Sequence, residues 1–198
     1  MRQALYPVHH GDKPSLLMNI LREKEQEITS ALVFLRTKQR TDRLAQILRK
    51  AGFPATTIHG DLSQRQREAA LKGFRGGKYR ILVATDVAAR GLDVDGISHV
   101  FNYDIPPTAE DYLHRIGRTA RAQAEGDAIT FVCPDEYNAL YTIEAALGRN
   151  LPRETYDGAP PVLSLFHPPG SRPAAVRRGL GSASRRGSGG RPRQMARR

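Results

Sequence analysis

The stretch HRIGRTARA, residues 114–122, carries Arg115, Arg118 and Arg121 around a single glycine. Arginine is permanently charged, and its planar fork of donors matches the geometry of phosphate. Arg118 and Arg121 are three residues apart, one helical turn or less, so both can converge on one group. The chemistry that uses such a pair is phosphoryl transfer. There, charge builds on the oxygens of the transferred group, and a guanidinium presented from a partner surface is worth about a thousandfold or more in rate. A solvated basic helix end is the competing account of these residues. That account leaves a second dense stretch, TDVAARGLD at 85–93, unexplained.

Two other ways of handling a nucleotide fail on the residues. GFRGGKYR at 73–80 places Gly77 before Lys78 but lacks the first glycine of a phosphate-binding loop, and Tyr79 stands where a hydroxyl should hold magnesium. It reads as a helix-ending turn. No pair of acids closes an apolar strand in a manner suited to a metal, since Asp86 stands alone after RILVAT.

The elements that must position the arginines follow from periodicity. ALVFL (31–35), ATTIH (55–59), RILVAT (80–85), HVFNY (99–103) and AITFV (128–132) read as strands, with ALYPVH near the start a weaker one. Between them, Leu16, Leu17, Ile20 and Leu21 mark a helix after Pro14, and Leu44, Ile47, Leu48 and Ala51 share a face that Gly52 terminates. SQRQ from Ser63 fits a capping box leading to Leu71 and Phe74 on a buried side, and Tyr137, Leu140 and Leu147 mark a last helix closed by Gly148. Strands apolar almost throughout and separated by helices imply an α/β fold, a parallel sheet covered on both faces. Such sheets place ligands beyond the carboxyl ends of their strands. TK after ALVFLR, GD after TTIH, and TDVAARGLD after ILVA all fall there.

Composition sets the outer bounds. The 198 residues are 39% hydrophobic, enough for one buried domain. Cys133 is the single cysteine, which excludes an intramolecular disulfide and suits a reducing cytoplasmic setting. No signal-like or membrane-length apolar run occurs, so a soluble cytoplasmic protein without a membrane partner is expected. The net charge of +11 is uneven: residues 171–198 hold nine arginines and no acid, whereas 1–170 hold 22 basic and 20 acidic residues. We expect a domain over 1–155, a proline-rich linker over 156–170 and a basic Gly/Ser/Arg-rich disordered tail over 171–198. The tail suits sequence-tolerant, salt-dependent phosphate attraction or simple solubilisation, and the island VLSLF (162–166) could dock on the domain or on a partner.

VATDVAARGLDV followed by YLHRIGRTARA, preceded by ALVFLRTK and TTIHGDLSQRQRE, resembles in order and spacing the second, carboxyl-terminal RecA-like domain of DEAD-box ATP-dependent RNA helicases. The resemblance spans about residues 3 to 150. It implies that Arg118 and Arg121 are catalytic arginine fingers to the ATP γ-phosphate. It further implies that Asp93 binds the ribose and helps position them, and that His114 and Arg115 couple the two domains of the enzyme. Thr37, Gly60, Asp61, Thr85 and Gly91 match positions along the RNA backbone, and Gln64 and Arg67 match the QxxR pair that supports it. From the residues themselves, Gly60 and Gly91 lack a Cβ, so a sugar-phosphate chain can approach the main chain closely, and contacts of that kind read backbone rather than base.

The resemblance implies an absence as well. The family's first RecA-like domain carries the phosphate loop, the Asp-Glu-Ala-Asp metal site and the adenine-recognising segment, none of which occurs in this sequence. ATP with Mg²⁺ would be held mainly by that N-terminal domain, the chain's expected partner along with RNA. By itself the chain would be inactive as a motor, whether a cloned fragment or a natural split product. Two departures are noted: Ala120 and Gln123 stand where the family often has glycine. At Ala120 an ordinary φ would let alanine stiffen the turn. Two other readings use the same residues, a DNA helicase or remodeller of the same superfamily and a non-enzymatic RNA-binding or chaperone module. His114, where DNA-directed relatives usually have glutamine, favours RNA.

Overall fold

The computed structural model describes residues 1–90, 92, 94, 96–119 and 126–156. Within them all six strand-like runs form strands: β1 (Arg2–Pro7), β2 (Ala31–Leu35), β3 (Ala55–Ile58), β4 (Ile81–Thr85), β5 (His99–Asn102) and β6 (Asp127–Val132). They make one sheet in the order β1-β6-β5-β2-β4-β3, with every pairing parallel. The helices are α1 (Lys13–Glu23), α2 (Lys38–Lys50), α3 (Gln64–Arg75), α4 (Asp86–Ala89), α5 (Ala109–Ile116) and α6 (Tyr137–Leu147), with a 3-10 turn at Pro134–Glu136. This is the parallel α/β sheet that the apolar strands imply and the RecA-like architecture that the resemblance implies.

Side chains alternate across a strand, and both resulting sets are buried. Val33 and Leu35 of β2 join Val83, Phe101 and Phe131 against Leu16, Leu17, Leu44 and Leu48 of α1 and α2. Leu32 and Phe34 point the other way, with Leu82 and Val100, onto Phe74, Ala88 and Ala89 of α3 and α4. Leu5, Ala128 and Val132 extend that second face under Tyr112, Ile116 and Leu140 of α5 and α6. Burial on both faces is why these strands lack a polar alternation.

The helix boundaries obey local chemistry. Thr37 and Thr108 cap α2 and α5 by accepting from the amides of Arg40 and Asp111, and the Ser63–Gln66 capping box opens α3 as read. Gly148 adopts φ +65 just past α6, a backbone conformation costly for any residue with a Cβ. GFRGGKYR is the turn expected of it, since α3 ends at Arg75 and Gly77 has φ +75.

Three details differ from the sequence reading. Ala51 is exposed beyond α2, whose buried face is Thr41, Leu44, Ala45 and Leu48. Leu71 is only partly buried, and Ala70 joins Phe74 on the inner side of α3. Residues 151–156, where periodicity fails, are laid against β1: the Leu5 amide donates to the Pro152 carbonyl, and Glu154 donates to Leu5. Leu151 is buried in the same strap. Of the expected linker over 156–170 only Tyr156 is described, and the rest of it and the tail over 171–198 lie outside the described residues.

Candidate nucleic-acid and nucleotide interface

An all-parallel sheet brings every strand's carboxyl end to one edge. Lys13 follows β1 there, Thr37 follows β2, Gly60 and Asp61 follow β3, Asp86 follows β4, Asp104 follows β5 and Glu136 follows β6. Some of these side chains are locked into a buried frame, and others stand on an open rim.

Arg115 anchors the frame. It projects from the last turn of α5 and is 3% exposed. Its Nε and Nη2 donate to the two carboxylate oxygens of Asp86 at 2.6 and 2.7 Å. Nη1 donates to Asn102 Oδ1 at 3.2 Å and to the Asp104 carbonyl at 2.7 Å, and the guanidinium lies over the Phe34 ring at 4.9 Å. A bidentate pair with its remaining donors satisfied is the geometry in which a buried ion pair offsets its desolvation. The Asp104 carboxylate, also buried, accepts from the Arg36 amide at 2.9 Å and from Arg40 Nη1 at 2.7 Å. Its other oxygen lies 3.6 Å from the buried ammonium of Lys13. Lys13 in turn donates to Glu136 at 3.0 Å, and Glu136 accepts from the Cys133 amide. Burial pushes the Cys133 thiol up to about 12, so it is no nucleophile. One connected network thus ties the ends of five strands to α1, α2 and α5.

Two residues singled out in the sequence sit in this frame. Asp86, which has no second acid beside it at the end of its strand, is the bidentate partner of Arg115. Arg115, expected to couple domains, has its guanidinium fully engaged inside this one.

The rim begins where α5 stops. The helix ends at Ile116 with Gly117 as its cap, so Arg118 lies in the following turn rather than at helical spacing. Arg118 is half-buried and donates from Nη1 to the Leu92 carbonyl at 3.0 Å. The turn is pinned by Thr119, whose buried hydroxyl donates to the Ile97 carbonyl at 2.6 Å. A Cβ at Gly126 would fall 1.7 Å from that hydroxyl oxygen, which demands glycine at the entry to β6. Gly91, Asp93, Ala120, Arg121 and Gln123 lie outside the described residues.

A shallow depression between α4 and α5 is lined by Phe34, Asp86, Arg90, Asp111, His114 and Arg118, among others. Both of its carboxylates are taken. Asp86 is held by Arg115, and Asp111 accepts from the Thr108 hydroxyl and from Arg90. The Thr108 hydroxyl, helped by the Arg90 guanidinium, holds the Asp111 carboxyl below its ordinary value against a smaller opposing effect of burial. The depression therefore offers cationic and imidazole groups, and no uncommitted carboxylate among the described residues. Such a donor set fits the anionic end of a nucleotide and does not fit its magnesium ion.

On the other side of the edge the expected backbone-contacting residues are exposed or half-buried. A Cβ on Gly60 would meet nothing within 4 Å, so the space before its main chain is open. Thr85 makes no side-chain cap bond to α4, and the Thr37 hydroxyl makes a long contact of 3.4 Å to the Arg40 amide. Asp61 pairs with Lys38 at 2.6 Å, and Gln64 donates to Glu68 at 2.8 Å, both within the rim itself. Arg67 lies a turn further along α3. Sequence reasoning noted Asp86 only as an acid without an acidic partner, and passed over Asp104, Arg40 and Lys13. Asp104 carried the signal that marked the others, an acid directly after an apolar strand.

Residues 12–123 match the model of the helicase conserved C-terminal domain. The chain is 48% identical over 153 residues, 77% of its length, to the DEAD-box ATP-dependent RNA helicase CshA of Geobacillus kaustophilus, covering 32% of that protein. It is 43% identical over 176 residues, 89% of its length, to the ATP-dependent RNA helicase RhlB of Xanthomonas oryzae, covering 29% of that protein. It thus spans about a third of the length of these curated relatives. Among solved structures, the E. coli DEAD-box protein SrmB, bound to the regulator of ribonuclease activity A, superposes with a TM-score of 0.75 at 38% identity. That match covers 79% of this chain and 92% of the other.

Proposed function

The chain belongs to the helicase conserved C-terminal domain family, as a second RecA-like domain of the DEAD-box RNA helicases, and from that premise we propose its part in the enzyme. It acts as the carboxyl-terminal half of an ATP-dependent RNA helicase, presenting arginine fingers to the nucleotide and one wall of a sequence-independent RNA cleft. The observation that carries this reading is the division of labour at the end of α5. Arg115 is buried and satisfied by Asp86, while Arg118, three residues on, keeps one donor on Leu92 and faces an open depression without a free carboxylate.

ATP with Mg²⁺, held mainly by the N-terminal RecA-like domain of the same helicase, supplies the phosphoryl group and the metal. Arg118 and Arg121 approach the γ-phosphate from the opposite side, where a guanidinium stabilises the charge that develops in transfer. Asp93 takes the ribose side. His114 and the Arg115–Asp86 pair set the position of the finger turn when the two domains close. Along the other half of the edge Thr37, Gly60, Asp61, Gln64, Arg67, Thr85 and Gly91 receive the sugar-phosphate backbone. Main-chain amides and small side chains at such positions recognise the strand without reading its bases. The domain occupies 1–155, and the nine arginines beyond residue 170 add a salt-dependent attraction for RNA.

The test joins this chain to its N-terminal RecA-like domain and measures RNA-stimulated ATP hydrolysis. Arg118→Ala and Arg121→Ala should each lower the rate by about a thousandfold while RNA binding persists, and the chain by itself should hydrolyse no ATP. Unchanged hydrolysis in both variants would sink the finger assignment and leave an RNA-binding module. Equal stimulation by DNA would point instead to a DNA-directed relative, because 2′-hydroxyl contacts would then count for nothing.

A further inference from the structure

The opposite, amino-terminal edge of the sheet holds a polar cluster that none of this chemistry uses. His99 opens β5 and Asp127 opens β6, and the parallel register sets them side by side. Glu27 reaches the same place from the turn between α1 and β2. The His99 side chain is 6% exposed.

The tautomer of His99 follows from its neighbour. Nδ1 lies 3.1 Å from Ser98 Oγ. The Ser98 hydroxyl proton is already given to the Ser30 carbonyl at 2.6 Å, and the same oxygen accepts from the Ser30 amide. Ser98 Oγ can therefore only accept from the ring, so Nδ1 carries the hydrogen. In a neutral imidazole the other nitrogen is then a bare lone pair. That nitrogen, Nε2, is buried with no hydrogen-bond partner, and Asp127 Oδ2 faces it at 3.7 Å. An acceptor is thus aimed at carboxylates, which are acceptors too. What the cluster lacks is a cation bonded to Nε2 as well as to the carboxylates.

We infer that Glu27, His99 and Asp127 form a divalent transition-metal site of the kind zinc occupies. One ligand atom from each lies within 4.8 Å of the other two. A single imidazole with two carboxylates suits zinc better than magnesium or calcium, which favour an all-oxygen shell. The Nδ1–H donated to Ser98 is the outer hydrogen bond that a metal-ligating histidine uses to fix its ring. Three protein ligands leave a fourth position for water. Lys24 is the resident competitor, its Nζ 3.4 Å from Glu27 and 4.0 Å from Asp127. This ammonium makes no bond to Nε2, and its side chain is partly exposed. A second cluster of three, His10, Cys133 and Asp135, makes the natural control. Its thiol is buried beside the Lys13 ammonium and His10 is already bonded to Asp135, so it lacks an available thiolate.

Titrating chelator-stripped protein with Zn²⁺ in a calorimeter tests the assignment. One ion per chain should bind. Asp127→Asn should weaken binding at least tenfold, Lys24→Gln should strengthen it several-fold by removing the competing cation, and His10→Gln should leave it unchanged. Should Asp127→Asn fail to fold, Glu27→Gln at an exposed position reads the same loss. Nitrogen NMR of the imidazole adds an independent readout, a Zn²⁺-dependent shift at His99 Nε2. Absence of binding, or binding lost in His10→Gln and kept in Asp127→Asn, would overturn the site. Neither result depends on how the carboxyl edge is used.

Discussion

Arg115 and Arg118 leave the same helix end three residues apart and meet opposite surroundings. Arg115 is 3% exposed, grips Asp86 with two donors and closes over Phe34. Arg118 is half-buried and gives one donor to a carbonyl at the mouth of a depression. Their places at the helix end differ: α5 carries Arg115 inward on its buried face, and Arg118, one residue past the Gly117 cap, lies at the rim. The same residue type serves as scaffold in one place and as an available cation in the other, and burial decides which.

That contrast predicts unequal costs. Arg115→Ala should be the most damaging change, because it strands the Asp86 carboxylate, the Asn102 side chain and the Asp104 carbonyl together. A loss of about 3–5 kcal/mol is expected for breaking a buried pair, measured by urea unfolding; a loss below about 1 kcal/mol would mean that the frame does not hold the edge. Ser63→Ala, which removes the capping box of α3 under the rim, should cost about 1 kcal/mol in the same assay. Acidification reaches the rim next. Asp111 has its carboxyl held below the ordinary value by Thr108 and Arg90. Its contribution is therefore complete above its unfolded value, near pH 4, and fades as pH falls through the lower folded one. Asp111→Asn should flatten that part of the stability profile, and an unchanged profile would remove Asp111 from the account. Arg118→Ala should do least to folding, within about 0.5 kcal/mol, in contrast to its large expected effect on ATP hydrolysis. A substantial destabilisation instead would make Arg118 a second scaffold residue.

The fold was legible because its signals are local and redundant. Each buried strand is a continuous apolar run, α1 opens on a proline, α2, α3 and α5 on a capping hydroxyl, α6 closes on a glycine, and parallel order follows from their alternation. The strap at 151–156 was invisible because its bonds to β1 are main-chain bonds made across almost the whole domain, and proline and arginine leave no periodic trace. The rim was legible for a related reason: Thr37, Gly60, Thr85 and His114 follow strand ends or finish a helix, and their types suit open turns. The frame was not. Lys13 and Asp104 were passed over, and only the convergence of β1, β5 and β6 buries them together with Glu136.

The sequence by itself determined the sheet, the edge at which chemistry must occur and the residue types available there. Those depend on hydrophobic period, capping and strand polarity, all of which act between near neighbours. Tertiary structure alone decided which arginine is scaffold and which is available, that Asp86 has a partner, and that His99 turns an unpaired nitrogen toward Asp127. Those outcomes depend on burial and on contacts between residues remote in the chain, where the cost of an unsatisfied charge or lone pair is set by everything packed around it.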